Sequence, residues 1–337
     1  MSRTHHNFWP KGLPHDATVP ETNLFHNLEV SAARYPNKAF ALFFDGVLTY
    51  RRLKDEAQRL AGYLQAVCGL EAGARVMLVM QNSPQFVIAY YAVVRANAIV
   101  VPINPMSVSE ELAYFAADSG ARIAIVGQEV YERVRPLIVG ERACLERVIV
   151  ATYSDYVNRE TDLALPEIVA APRISFAERN VTAWMDAIAG GHAPGPLTAG
   201  PDDLCAIPYS SGTTGRAKGC MLTHRNLMHT AVVNTVWFAQ HQDSTLLVVL
   251  PFFHVTSMQG GMNAPIYYGG TIVLMCRWDR DLAAQLIQRH RIRYWTAIST
   301  MVVDFLANPR LNEYDLSSLE RLTGGGAAMP AAVAERL

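Results

Sequence analysis

The chain has 337 residues, half of them hydrophobic and 18% charged, with 29 basic against 30 acidic side chains. This composition suits a globular protein with a large core, long for one compact domain and comfortable for two, and a net charge of −1 gives no electrostatic ground for nucleic-acid binding. Five scattered cysteines (Cys68, Cys144, Cys205, Cys220 and Cys276), without a C-x-x-C pair, argue against a disulfide framework and for a reducing cytoplasm.

The N-terminal stretch MSRTHHNFWPKGLPHD has no apolar core and does not read as a secretory signal. AFALFF (39–44) reads as a strand, and RRLKDEAQRLAGYLQAV (51–67) as a helix with Leu53, Ala57, Leu60, Ala61 and Leu64 along one face. RVMLVM (75–80) is a β run. Asn82-Ser83-Pro84 then supplies a capping residue and a first-turn proline for the helix QFVIAYYAVVRA. AIVVPI (98–103) is again β; a helix starts at Ser109-Glu110-Glu111 and stops near Gly120, and RIAIV (122–126) is the next strand. The run VIAYYAVVRANAIVVPI is interrupted by Arg95 and Asn97, so no apolar run reaches spanning length. A soluble protein is expected, with a peripheral membrane contact left open.

Strands that are apolar throughout and alternate with helices belong to parallel sheets covered on both faces, so the fold class is α/β. Periodicity fades between about 153 and 202, and the Gly/Pro-rich 189–203 reads as a connection between a first α/β region (1–188) and a second (204–337). In the second region LCAIPY is β, a helix starts near 223, TLLVVL is β, and a helix follows 257. TIVLM (β), 279–290 (helix), YWTAI (β) and 299–307 (helix) complete the alternation. The final LERLTGGGAAMPAAVAERL gives a strand-like run, a glycine turn and a helix just begun at Pro330, and suggests a truncated chain.

YSSGTTGRAKG (209–219) leaves the buried strand 204–208 as a turn rich in hydroxyls and glycine. Gly212, Gly215 and Gly219 permit positive φ and close backbone approach. Ser210, Ser211, Thr213 and Thr214 bring hydroxyls, and Lys218 a mobile positive charge, so the loop can envelop a polyphosphate. Alone, it reads equally well as a polar turn between strand and helix. It is not a Walker A loop: Ala217 precedes the lysine where glycine should stand, and Gly219 follows it where Ser or Thr should.

YSSGTTGRAKGCMLTHRNL resembles the signature loop of the adenylate-forming superfamily, which includes acyl-CoA synthetases, peptide-synthetase adenylation domains and luciferases. That family commonly has proline at the position of Ala217. The likeness extends over nearly the whole chain, through LTYRRLKDEAQRLAGYL, GARVMLVMQNSPQFVIAYYAVVRANAIVVPINP, SEELAYFAADSGARIAIV, LPFFHVTSMQGG (250–261) and LTGGGAAMP (322–330). Its implied fold is the large N-terminal domain of these enzymes, two similar α/β subdomains of mostly parallel sheet. The N-terminal run FWPKGLPHDATVPETNLFHNLEVSAARYPNKAF is most similar to bacterial long-chain fatty acid–CoA ligases.

The resemblance implies that a carboxylate attacks the α-phosphate of ATP, with Mg²⁺, to give acyl-adenylate and pyrophosphate; the thiol of CoA then displaces AMP. It assigns the β/γ-phosphates to Ser211, Gly212, Thr213, Thr214, Gly215 and Lys218, and a place in the Mg²⁺ environment to Ser210. His254 is implied beside the substrate carboxylate as wall and orienter rather than general base, since a carboxylate needs no deprotonation at neutral pH. Met258 is assigned to the acyl channel, with Gly260-Gly261 leaving room for a chain. Adenine and the start of the acyl chain fall on the small-residue turn Gly325, Gly326, Ala327 and Ala328. No structural metal is expected: His5-His6 reads as a tail, and His224 and His229 lack carboxylate partners.

A fatty acyl-AMP ligase or an aryl-CoA ligase is the alternative within the class, and a non-catalytic nucleotide-binding module the alternative outside it. The family's later Tyr-Gly-x-Thr-Glu element, with its Mg²⁺-binding Glu, is missing from the sequence as given, as are a ribose-holding Asp, an Arg and a small C-terminal domain with the adenylation lysine. The expectation is therefore a piece inactive by itself. Homodimer formation is left open.

Overall fold

Strands and helices alternate along residues 4–210, 215–325 and 329–335, the residues that the computed structural model describes. In chain order the strands are β1 (Ala39–Phe43), β2 (Gly46–Thr49), β3 (Arg75–Val79), β4 (Ile99–Pro102) and β5 (Ile123–Gly127). Then come β6 (Arg147–Ala151), β7 (Val181–Ala183), β8 (Leu204–Ala206), β9 (Tyr209–Ser210) and β10 (Lys218–Gly219). Last are β11 (Leu222–Thr223), β12 (Thr245–Val248), β13 (Thr271–Leu274), β14 (Tyr294–Ala297) and β15 (Arg321–Gly324).

Among the described residues these strands build two large sheets and one small ladder. Seven strands run β11-β8-β4-β3-β5-β6-β7, parallel except where β11 meets β8. Six run β15-β14-β12-β13-β1-β2, parallel except for the β1–β2 hairpin. β9 and β10 pair only with each other. Interior strands such as β4 and β5 are buried at every residue, as strands covered on both faces must be. Sheet membership crosses the 189–203 segment in both directions. β1 and β2 precede it yet join the six-stranded sheet, and β8 and β11 follow it yet complete the seven-stranded one. The segment itself is fastened: Asn97 Oδ1 accepts the amides of Thr198 and Ala199, and Arg95 donates to the Gly195 carbonyl.

The helix Tyr50–Ala66 is capped by the Thr49 side chain, which accepts from the Arg52 amide, and its five expected apolar positions are all fully buried. The helix Pro84–Arg95 begins as its sequence suggests, with Ser83 accepting from the Phe86 amide and Pro84 in the first turn. It is buried from Pro84 to Val94, so it needs partners on every side. Besides the strands it leaves and enters, it meets the six-stranded half: the Phe86 and Phe252 rings lie 5.4 Å apart, and Tyr91 donates to Asn263 Oδ1 at 2.9 Å. This helix is the joint between the two halves. Among the described residues no helix is long and apolar enough to cross a membrane.

After His254 the chain is helical from Val255 to Tyr268, but Met258–Asn263 is a π turn rather than α-helix. Pro265 gives the cause, since it has no N–H to return to the preceding turn and its ring crowds the carbonyl four residues back.

Candidate active site

β8 does not run on to residue 209 as one strand. Ile207 still donates to the Val100 carbonyl, but Pro208 has no N–H and the chain turns out of the sheet. It resumes as the β9–β10 ladder, in which Ser210 stands opposite Lys218 and Tyr209 opposite Gly219. The Ser210 hydroxyl donates to the Lys218 carbonyl at 3.4 Å, and the Cys220 amide donates to the Pro208 carbonyl. Tyr209–Ser210 and Lys218–Gly219 are therefore the two arms of a hairpin. The helix His224–Trp237, capped by Thr223, starts only after β11 intervenes, so Lys218 does not sit at a helix N-terminus.

Gly219 does not adopt positive φ. Gly219 is required by close approach, because a Cβ there would lie 2.6 Å from Ile207 Cγ2. At Gly215 a Cβ would meet no described residue within 4 Å.

The hairpin forms one side of a cleft of about 1130 Å³. Tyr209, Ser210, Gly215 and Arg216 line that side, and Phe253 and His254, which follow β12, line another. The helix Ser109–Ser119 supplies more of the wall, including Tyr114. His254 reaches its position by a buried route. Asn82, 4% exposed, donates to the Leu250 carbonyl at 2.9 Å and accepts the Phe252 amide at 2.8 Å, while Phe252 is itself fully buried. The exposed His254 then caps the short helix Val255–Ser257, its Nδ1 accepting the Thr256 amide at 3.3 Å. In the neutral ring that leaves the proton on Nε2, a donor suited to a carboxylate or phosphate oxygen.

Ser210 and Gly215 are thus brought to one cleft with His254, which is distant in sequence. Lys218 is exposed on β10, across the ladder from Ser210. Met258 is fully buried in the core and lines none of the cavities described here. Gly260 borders two water-sized cavities of about 20 and 10 Å³; Leu246, Leu247 and Val248 line the first, and Asn234, Gln240 and Thr323 the second. Gly261 is held by packing, as a Cβ there would come within 2.9 Å of Ser257 Oγ and 3.1 Å of Val248 Cγ1. Gly325 is exposed just beyond β15. Ser211, Gly212, Thr213, Thr214, Gly326, Ala327 and Ala328 lie outside the described residues.

Sequence reasoning passed over several residues that shape this cleft. Tyr114 donates from its hydroxyl to the Ala217 carbonyl at 2.7 Å, and Tyr209 donates to Asp118 Oδ2 at 2.6 Å. Asn82 was visible only as part of a helix start. The cleft carboxylates are already engaged: Glu111 accepts the Val108 amide, and Glu110 pairs with Arg142.

The family model for AMP-binding enzymes matches residues 28–337. The chain belongs to that family. It is 28% identical over 343 residues to a long-chain-fatty-acid–CoA ligase of Bacillus subtilis strain 168, covering 97% of this chain and 59% of that protein. It is 32% identical over 308 residues to a feruloyl-CoA synthase of an Amycolatopsis species, covering 91% and 55%. The crystal structure of the anthranilate CoA ligase AuaEII, in complex with anthranoyl-AMP, superposes with a TM-score of 0.80 at 23% identity over 94% of this chain and 58% of that one. The likeness establishes the fold as that of the N-terminal part of adenylate-forming enzymes, and the chain spans rather more than half the length of these curated relatives.

Proposed function

We propose that this chain is the ATP- and acid-binding part of an acid–thiol ligase that joins a fatty acid to CoA through an acyl-adenylate. One observation carries the reading: the hydroxyl- and glycine-rich hairpin and His254 face a single cleft large enough for a nucleotide and the end of an acid. In the first step a carboxylate oxygen bonds to the α-phosphorus of ATP as the bond from that phosphorus to the β-bridging oxygen breaks, and pyrophosphate leaves. In the second, the CoA sulfur bonds to the acyl carbon and AMP leaves.

The chain's residues position and neutralise charge, which is most of what such displacements require. Ser210, Ser211, Gly212, Thr213, Thr214, Gly215 and Lys218 would hold the departing pyrophosphate, with Lys218 balancing its charge. His254 would donate from Nε2 to a carboxylate oxygen and fix its approach. Mg²⁺, an ion that usually keeps several waters and binds through phosphates, would be held there with the Ser210 hydroxyl on the cleft wall as a candidate protein ligand. Adenine would lie on Gly325, Gly326, Ala327 and Ala328, and the acyl chain would pass Gly260.

The Bacillus relative is named for long-chain fatty acids, and the side chains beside Gly260 on β12 are apolar. A second reading, an aryl acid, is favoured by the feruloyl-CoA synthase relative and by the small size of the cavities around Gly260.

The test is direct. ATP should bind this chain, and Lys218→Ala should weaken binding about 10- to 100-fold, the worth of charge-assisted phosphate contacts. A wild-type chain that binds no ATP would overturn the proposal. Since the relatives bring much additional chain to the reaction, little ATP–pyrophosphate exchange is expected from these 337 residues alone. Exchange stimulated by palmitate but not ferulate supports the fatty reading, and the reverse supports the aryl one.

A further inference from the structure

We propose that Tyr114 and Asp118 form a clasp that sets the phosphate-binding hairpin in its working position, with Tyr114 a positioning residue for ATP. The inference rests on the nucleotide-binding reading of that hairpin. The two residues lie four apart on the helix Ser109–Ser119 and so share one face. Each fastens a different strand of the hairpin. Asp118 Oδ2 accepts the Tyr209 hydroxyl at 2.6 Å, at the entry, and the Tyr114 hydroxyl donates to the Ala217 carbonyl at 2.7 Å, at the exit.

Rings complete the catch. Phe115 and Tyr209 are 4.6 Å apart between centroids, and the Arg216 guanidinium lies 5.5 Å over the Tyr114 ring. The need for such a catch follows from the ladder. Among the described residues β9 and β10 pair at two positions, and so short a ladder does not hold itself in water. The tie to Tyr209 is exposed, and that to Ala217 half-buried. Their loss therefore releases the hairpin without opening the core. Ala217 adds a second argument, because its N–H makes no hydrogen bond to a described residue. A proline there would stiffen the chain entering the exit strand without costing a hydrogen bond to any described residue, by a route independent of Tyr114.

The experiment compares wild type, Tyr114→Phe, Ala217→Pro and the double variant, by hydrogen exchange of the 218–220 amides, among them the Cys220 amide that donates to the Pro208 carbonyl, without nucleotide and by ATP dissociation constant. Tyr114→Phe keeps the ring and removes only the donor. Exchange should quicken and ATP affinity fall, each about 3- to 10-fold, with the melting temperature held within about 2 °C. Ala217→Pro in the Tyr114→Phe background should restore at least half of both losses, which a merely structural role for Tyr114 would not predict. Unchanged exchange and affinity in Tyr114→Phe, or loss without rescue, overturns the clasp. If Tyr114→Phe melts early, Asp118→Ala, at an exposed position, carries the same comparison from the entry strand. Because exchange is read without nucleotide, it judges the clasp even where wild type binds no ATP, an outcome that overturns only the functional reading.

Discussion

Two segments meet at the cleft, and they are fastened in opposite ways. The hairpin carrying Ser210 and Lys218 is exposed and fixed from the side by the Tyr114 and Asp118 side chains. The segment 249–257, which carries His254, is anchored from below through the buried Phe252 and Asn82. Water competes most for the exposed Tyr209–Asp118 bond and least for the buried bond from the Phe252 amide to Asn82. One segment behaves as a fixed wall, and the other as a catch that a ligand can tighten. Both fastenings come from the seven-stranded half, although His254 follows a strand of the other sheet. The site is thus assembled across the two halves.

The sharpest way to break this contrast is Asn82→Ala. It orphans the Leu250 carbonyl and the Phe252 amide together, at about 1–3 kcal/mol each, so a loss of about 4 kcal/mol is expected in urea denaturation. No single change at the hairpin should approach that value. Acid gives the next largest effect. His224, 1% exposed at the start of the helix that follows the hairpin, accepts the Leu24 amide on Nδ1. Burial pushes it down to about 4 from an ordinary value of 6.5, against an opposing pull from Asp203. Between those values the unfolded chain holds a proton that the folded one does not, so this stability is whole above pH 6.5 and is lost as the pH falls toward 4. Roughly 2 kcal/mol should disappear between pH 7.5 and pH 5, and His224→Asn, which keeps an acceptor but cannot titrate, should flatten the slope.

The glycines give the smallest and most discriminating pair. Gly219→Ala presses on Ile207 and should cost about 1 kcal/mol of stability. Gly215→Ala meets no described residue within 4 Å, so its melting temperature should move little. If the cleft accepts phosphate at that point, ATP affinity alone should fall, by a few-fold.

Much of this architecture was legible in the sequence because local rules fixed it. The apolar stripe of Tyr50–Ala66 and the Ser83-Pro84 start of the next helix needed no tertiary information. What escaped notice was short or depended on distant partners. β7 has three half-buried residues, and β2 is four residues closed by Phe44 and Asp45 at φ 46° and 63°. β6, VIV with one flanking residue on each side, carried an apolar signal that was passed over. At the site, the residue types and order of 209–219 and 250–261 pointed to the family to which the chain belongs, and the structure sets Ser210 and His254 along one cleft. The helper residues were invisible for a plain reason: Asn82 bonds residues 168 and 170 positions away, and Tyr114 bonds one 103 away. No periodicity records such separations.

The pairing of β1 with β13 also constrains how the molecule is made. The Thr271 hydroxyl donates to the Ala39 carbonyl, 232 residues earlier in the chain. At about 5–20 residues per second, a ribosome needs roughly 10–50 s to deliver the second partner after the first. During that interval the apolar face of the first hairpin has no sheet to join, while β3 to β8 of the other sheet can already assemble. The nascent chain therefore acquires its halves in the reverse of the order in which their first strands are synthesised, and the waiting hairpin is where a chaperone would be expected to hold it.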